Sequence, residues 1–134
     1  MRKLKIRFTL EELRAKLSVT TQYIGKGLGR EVFDSRSKYN VWKLPYARSF
    51  HDGDEENFRE YNSFISGIYQ YEGRNYLAKC RLINTSDNRN VLVMEKVEYA
   101  EYQNNMPFWV NFVDCQQVGF NFKGQLVAYD YGNF

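Results

Sequence analysis

The chain has 134 residues, of which 43% are hydrophobic and 26% are charged, and its net charge is +3. This length and composition predict one globular domain with a core of its own. Ten Phe, eleven Tyr and two Trp exclude a fully disordered chain. A membrane protein is also excluded, since no stretch approaches the ~18 uninterrupted apolar residues of a span. The small positive charge argues against a nucleic-acid-binding domain.

The N-terminal segment Arg2–Arg7 is basic but lacks the apolar core and cleavage site of a signal peptide. Cys80 and Cys115 fit no metal-ligand spacing. We therefore expect a cytoplasmic protein whose two cysteines are reduced thiols.

The first elements predicted are a strand and a short helix. Apolar residues at every second position over 4–8 are typical of a half-buried strand. Thr9 and Glu12 have the spacing of a capping box, which predicts a helix over about 10–17. These two elements make up a predicted N-terminal part, residues 1–18.

Three strands are predicted next, over about 19–24, 31–34 and 39–44. A glycine run, Gly25-Lys26-Gly27-Leu28-Gly29, lies between the first two. Glycines at this position can let backbone N–H groups approach a phosphate, or they can simply form the turn of a hairpin. The run alone does not decide between these interpretations.

A long amphipathic helix is predicted over about 54–69, because acidic N-cap residues precede apolar residues at helical spacing. Residues 77–83 and 91–94 are then predicted as two strands across a polar turn. The fold class is therefore α+β, with an antiparallel five-stranded sheet and one long helix.

The C-terminal part is predicted to contain a short helix and a β-hairpin. Pro107 can begin an aromatic helix over 108–113. Residues 117–122 and 125–129 flank Lys123-Gly124 and predict the hairpin. We find no internal repeat or linker, so we expect a single domain.

Four charged side chains are the candidates for chemistry. Lys43 lies in a strand with apolar neighbours, so it needs an anionic partner unless it reaches the solvent. Glu56 and Glu60, one turn apart on the long helix, are candidate partners; the alternative is a solvated helix face. Asp130 follows an apolar strand, where a carboxylate can ligate a divalent cation or can simply belong to a turn.

In this order, the glycine run, the strand lysine, the helix glutamate, the two strands and Asp130-Tyr131-Gly132 resemble the protein-kinase-like fold from about residue 23 to 132. The resemblance implies a small-lobe-like part over 19–97 and a residual large-lobe part over 98–134. It also implies functional roles. The residues expected to hold ATP are Gly25, Gly27, Gly29 and Val32 in the loop, Lys43 at the phosphates, Glu60 (or Glu56) as its partner, and Met94 in the adenine-binding hinge.

Other positions match the family incompletely or depart from it. Asp130 is implied as the Mg²⁺ ligand, with Gln117 in place of the family's asparagine, and Asp114 is the candidate catalytic base. Arg30 occupies the position where the loop spacing expects glycine, and no His-Arg-Asp tripeptide is present. We expect the activation segment and the helical lobe to be absent, as in truncated kinase-like proteins of phages or mobile elements.

The leading hypothesis is a pseudokinase, not an enzyme, that regulates or inhibits a partner protein such as a host factor. Phe108, Trp109 and Phe112 are candidate partner-binding residues, and the alternative is plain packing in the core. One alternative is a minimal phosphotransferase or nucleotide-binding protein that uses ATP and Mg²⁺. Another is a binder of single-stranded nucleic acid, which the mild charge disfavours.

Overall fold

The computed structural model describes residues 4–20, 23–26, 29–34, 39–46, 52–101, 103–113 and 117–130. Within these ranges the chain forms two α-helices, one 3₁₀-helix and eleven strands in three sheets. The predicted α+β class is confirmed.

Six strands of the described residues form the large sheet. Their spatial order is β1 (Leu4–Lys5), β7 (Cys80–Asn84), β8 (Asn90–Glu95), β4 (Asn40–Pro45), β3 (Arg30–Asp34) and β2 (Tyr23–Lys26). The five strands from β7 to β2 are antiparallel, as predicted. The expectation of a purely antiparallel sheet is wrong, because β1 adds to β7 in parallel, with Leu4 opposite Ile83.

Two smaller sheets complete the described strands. One has the order β11 (Leu126–Ala128), β10 (Val118–Phe120) and β9 (Glu98–Tyr99); the other pairs β5 (Gln70–Tyr71) with β6 (Arg74–Asn75). The predicted C-terminal hairpin is present as β10 and β11, but β9 was not predicted. Gly119 allows β9 to approach, since a Cβ on this residue would collide with the carbonyl oxygen of Glu98.

Helix α1 (Leu10–Thr20) starts at the predicted capping box. The amide of Thr9 donates to Glu12 Oε1 (2.9 Å), and the amide of Glu12 donates to Thr9 Oγ1 (3.2 Å). The helix runs three residues beyond the predicted end at residue 17. Its three core leucines are Leu10, Leu13 and Leu17.

Helix α2 (Gly53–Ser66) is the predicted long helix. Asp52 caps its N-terminus by accepting a hydrogen bond from the amide of Glu55 (3.1 Å). It ends three residues before the predicted end at residue 69, because Gly67 adopts a left-handed conformation with a φ of 71°.

The predicted short helix is a 3₁₀-helix, Phe108–Phe112. No helix of the described residues is long and apolar enough to cross a lipid bilayer.

The two α-helices cover opposite faces of the large sheet. Successive side chains of a strand point to opposite faces, so each strand contributes to both packing layers. Trp42 and Val93 pack with the leucines of α1 in one cluster. Leu92 and Met94 pack in the other, towards α2. This second cluster also contains Trp109 of the 3₁₀-helix, so the α2 face of the sheet and the C-terminal part share one core.

Candidate functional site

Lys43 and Glu60 form a buried ion pair between β4 and α2. The Lys43 Nζ atom lies 3.2 Å from Glu60 Oε1 and 3.1 Å from Oε2. Lys43 is 5% exposed and Glu60 is fully buried. The structure therefore brings together the strand lysine and the helix glutamate that the sequence singled out, with Glu60 rather than Glu56 as the partner of Lys43.

Lys43 also binds the residue that follows β11. Its Nζ atom donates to the carbonyl oxygen of Tyr129 at 2.8 Å. Lys43 Nζ is therefore held by two acceptor groups of the chain, the Glu60 carboxylate and the Tyr129 carbonyl. A phosphate oxygen would compete with both of them.

Arg30, at the start of β3, places a second cation beside Glu60. A single atom, Arg30 Nη2, lies 2.9 Å from Glu60 Oε1, 3.0 Å from Glu56 Oε2 and 3.4 Å from Asp130 Oδ1. Arg30 is only 6% exposed. We call Arg30, Lys43, Glu56, Glu60 and Asp130 the charge cluster. The three acids that could have faced a bound cation all contact this guanidinium.

Asn57 fixes the position of Arg30. Its Oδ1 accepts a hydrogen bond from Arg30 Nη1 at 2.9 Å. Its Nδ2 donates to the carbonyl oxygens of Lys43 (3.0 Å) and Asn90 (2.8 Å). This fully buried amide therefore joins α2, β4, β8 and the guanidinium in one hydrogen-bonded network.

Charges in the cluster shift one another's ionisation. Burial by itself would raise the pKa of Glu60, but Lys43 and Arg30 lower it to about 2. Burial would lower the pKa of Arg30, but the Glu60 carboxylate raises it above its usual value. For Asp130, burial dominates and raises the pKa in spite of Lys43 and Arg30. Glu60 is therefore ionised throughout the neutral range.

Arg30 and Asn57 were not among the residues proposed from the sequence as parts of a site. Val32 lies opposite Lys43 in the sheet, and Arg30 precedes Val32 by two residues on the same strand. The period of two along a strand places Arg30 on the face of Lys43. Asn57 precedes Glu60 by one helical turn. The spacing of three between Asn57 and Glu60 can be read from the sequence alone, whereas the position of Arg30 beside Lys43 requires the register of β3 against β4.

The proposed glycine loop is described only in part. Gly25 lies in β2 opposite Val32, next to an irregularity in the pairing. Gly29 is buried, and its carbonyl oxygen accepts a hydrogen bond from the amide of Tyr46 (3.2 Å). Gly27 lies outside the described residues, and Val32 is half-buried.

The proposed adenine-binding hinge is closely tied to the rest of the sheet. Met94 is 1% exposed and belongs to the core. The amide of Glu95 donates to the Lys79 carbonyl oxygen (2.8 Å), and the amide of Lys96 donates to that of Tyr39 (2.7 Å). These two N–H groups are therefore already bonded within the chain.

The residues proposed to bind metal lie in different surroundings. Asp130 faces Arg30. Gln117 is half-buried, and its carbonyl oxygen accepts from the amide of Tyr129 (3.2 Å). Asp114, Tyr131 and Gly132 lie outside the described residues. Among the residues that are described, no three His, Cys, Asp or Glu side chains form a group that could hold a metal ion.

The three candidate partner-binding aromatics divide between core and surface. Trp109 is 2% exposed, and its ring stacks on Tyr76 with centroids 4.3 Å apart. Phe108 and Phe112 are 64% and 68% exposed and contact each other edge to face at 6.0 Å. Two of the three side chains are therefore available to a partner.

No protein-family model matches this chain, and no curated protein matches it. Among solved structures, the chain is similar to the apo form of a pseudokinase, with a TM-score of 0.49 and 11% sequence identity. The similarity covers 97% of this chain and 62% of the pseudokinase chain. This chain therefore spans less than two thirds of the length of that protein.

Proposed function

We propose that this protein is a kinase-like domain that transfers no phosphate and that regulates or inhibits a partner protein by binding it. The observation that carries the proposal is the position of Arg30, whose guanidinium contacts Glu56, Glu60 and Asp130. The chain thus supplies its own cation at the place where the sequence pattern predicts a nucleotide and its metal.

Phosphoryl transfer depends on groups that are free to hold phosphates and metal ions. Lys43 is bonded within the chain to the Glu60 carboxylate and to the Tyr129 carbonyl. Glu60 is shared by two buried cations, and a metal at Asp130 would compete with Arg30. The described side chains therefore do not fit an Mg·ATP complex without breaking several charge-assisted hydrogen bonds.

Nucleotide binding is the second candidate function. It is favoured by the convergence of Lys43, Glu60 and Asp130, three residues that are far apart in the sequence. It would require Arg30 to leave the charge cluster and Lys43 to release the carbonyl of Tyr129.

A ligand test separates the two candidates. A ligand that binds the native state raises the melting temperature by mass action. We expect the melting temperature of the wild-type protein to be unchanged in millimolar Mg·ATP, and no radiolabel to pass from γ-labelled ATP to the protein. Labelling of the protein would overturn the proposal. So would a rise in melting temperature that Lys43→Met loses and that the exposed control Lys79→Met keeps.

The exposed Phe108 and Phe112 are the proposed contacts to the partner, because large exposed aromatic side chains are enriched in binding surfaces. We expect a bacterial lysate to yield a stoichiometric partner that the double variant Phe108→Ser/Phe112→Ser no longer retains. Retention of that partner by the folded double variant would exclude these two residues as the contact. A phage origin and a host target stay predictions from the sequence.

A further inference from the structure

A groove of about 440 Å³ lies beside the three-stranded sheet, and its lining includes Ala100 and Pro107. Its apolar lining includes Met106, Phe120 and Leu126, and its polar lining includes Glu101, Gln103 and Asn105. This volume is within the range of grooves that hold small ligands or a few side chains.

The apolar floor of the groove is built by one row of side chains across the sheet. Phe120 lies directly opposite Leu126 on β11 and opposite Glu98 on β9. Residues that are opposite in a sheet project to the same face. Phe120 is 45% exposed, so an aromatic ring stands open to solvent between an apolar and an acidic neighbour.

The charge of the groove is opposite to that of the whole chain. The chain has 19 basic and 16 acidic residues, yet the described lining contains one carboxylate, Glu101, and no Lys, Arg or His. The exposed Glu98 adds a second carboxylate at the end of the row. Arg74 donates to the Leu126 carbonyl oxygen (3.2 Å) but does not line the groove. The groove therefore offers carboxylates to a cation, and its described lining offers no basic side chain to a phosphate.

The polar lining also suits a peptide backbone. The side-chain amides of Gln103 and Asn105 each offer two N–H donors and one carbonyl acceptor. Pro107, which lines the groove, immediately precedes the exposed Phe108. The groove is thus continuous with the surface proposed above to contact a partner.

We propose that this groove binds a short peptide segment of the partner protein in which Lys or Arg alternates with apolar side chains. The apolar side chains pack on Phe120, Leu126 and Met106, and the cations face Glu98 and Glu101. The inference rests on the proposed function, because it names the chemistry of the partner that such a regulator would recognise.

Three labelled peptides of equal length test the proposal by fluorescence anisotropy. In the first, Arg alternates with Leu; in the second, Glu replaces Arg; in the third, Ser replaces Leu. We expect saturable binding of the first peptide alone, since both the charge and the apolar floor are needed. Equal binding of the Glu peptide, or no binding of the Arg-Leu peptide, would overturn the proposal.

Variants locate the binding site. We expect the double variant Glu98→Lys/Glu101→Lys and the single variant Phe120→Ser each to weaken binding of the Arg-Leu peptide by about tenfold or more, which corresponds to about 1.4 kcal/mol. Glu55→Lys, an exposed charge reversal on α2, should leave the affinity within about twofold. Circular dichroism verifies that each variant is folded. Unchanged affinity in both groove variants would place the peptide elsewhere and refute the inference.

The two proposals fail separately. Labelling by ATP would overturn the absence of phosphotransfer while leaving groove-dependent peptide binding intact. Loss of peptide binding with no response to Mg·ATP would refute the groove and leave the first proposal standing.

Discussion

At Glu60 two cations share one carboxylate that solvent does not reach. Replacing it by the neutral amide in Glu60→Gln leaves Arg30 and Lys43 buried without their main counter-charge. Removing one partner of a buried ion pair costs about 3–5 kcal/mol. We expect a loss of this size in the free energy of unfolding, measured by urea denaturation at neutral pH. Glu56→Gln, a partly exposed contact of the same guanidinium, is the matched control and should cost clearly less.

The same carboxylate predicts part of the acid sensitivity. The folded pKa of Glu60 is about 2, below its ordinary value of 4.5, so its ionised form stabilises the native state. That stabilisation is complete above the unfolded pKa and is lost as the pH falls from about 4.5 towards 2. Urea midpoints across this window should fall more steeply for the wild type than for Glu60→Gln. Parallel slopes would show that Glu60 is not the titrating group.

Asp130 predicts a pH dependence of stability opposite to that of Glu60. Its folded pKa is raised, chiefly by burial, so its ionised form is unfavourable in the native state once the pH exceeds the unfolded pKa. We expect Asp130→Asn to be at least as stable as the wild type at pH 7, and the difference to shrink towards pH 3. Urea midpoints at the two pH values measure this. A loss at pH 7 as large as that of Glu60→Gln would show that the contact with Arg30 outweighs burial.

These residues also show how far the candidate site follows from the sequence. Lys43 and Glu60 could be proposed because a charge among apolar neighbours needs a partner. Arg30 looked like a departure from a loop pattern, and its role depends on the register of β3 against β4. Register is fixed by pairing between distant segments, so a single strand does not reveal which face Arg30 occupies.

Among the elements, the start of α2 is fixed by a close backbone contact. A Cβ at Gly53 would collide with the carbonyl oxygen of Gly29 and would lie 2.9 Å from Pro45 Cα. Gly53→Ala should therefore push α2 away from β3 and β4, and with it Asn57 and Glu60. We expect a loss of about 1–3 kcal/mol, the usual cost of overpacking, measured by urea denaturation.

Glu55→Ala is the control for this prediction. Glu55 is exposed and lies two residues after Gly53, and its hydrogen bond to the Asp52 side chain is made by the Glu55 backbone amide, which the substitution keeps. It should change the free energy of unfolding by less than about 0.5 kcal/mol. If Gly53→Ala were as stable as the wild type, the prediction would be wrong: α2 could then move away from the sheet without weakening the contacts of the charge cluster.

The elements that could be predicted are those whose signal is local. The capping box of α1 and the apolar spacing of α2 are examples. Strand β1 was predicted from the alternation over residues 4–8, but only Leu4–Lys5 pairs in the sheet. Strand β9 has two residues, too few to show a period of two, and it is defined by its pairing with β10.

For the whole molecule, the distribution of the two tryptophans allows a test of whether the chain unfolds as one unit. Trp42 packs against the α1-side cluster, and Trp109 lies in the cluster shared by α2 and the C-terminal part. Hydrogen bonds also link the large sheet and the segment leading into it to the C-terminal part. Lys43 donates to the Tyr129 carbonyl oxygen, and the Ala78 amide donates to the Ala128 carbonyl oxygen (2.7 Å). The resemblance implies a small-lobe-like part up to residue 97 and a residual large-lobe part from residue 98 within one domain, and the core and these bonds link the two parts.

Two single-tryptophan variants therefore report on the two clusters. Trp109→Phe leaves Trp42 as the probe, and Trp42→Phe leaves Trp109. Both changes keep an aromatic ring, and the first also removes a buried N–H that finds no acceptor among the described atoms. Because both clusters pack on the same large sheet, we expect the fluorescence and far-ultraviolet circular dichroism transitions in urea to coincide within each variant. If Trp109 fluorescence changed at a lower urea concentration than the dichroism of the same variant, the C-terminal part would unfold on its own and the prediction of a single cooperative domain would be wrong.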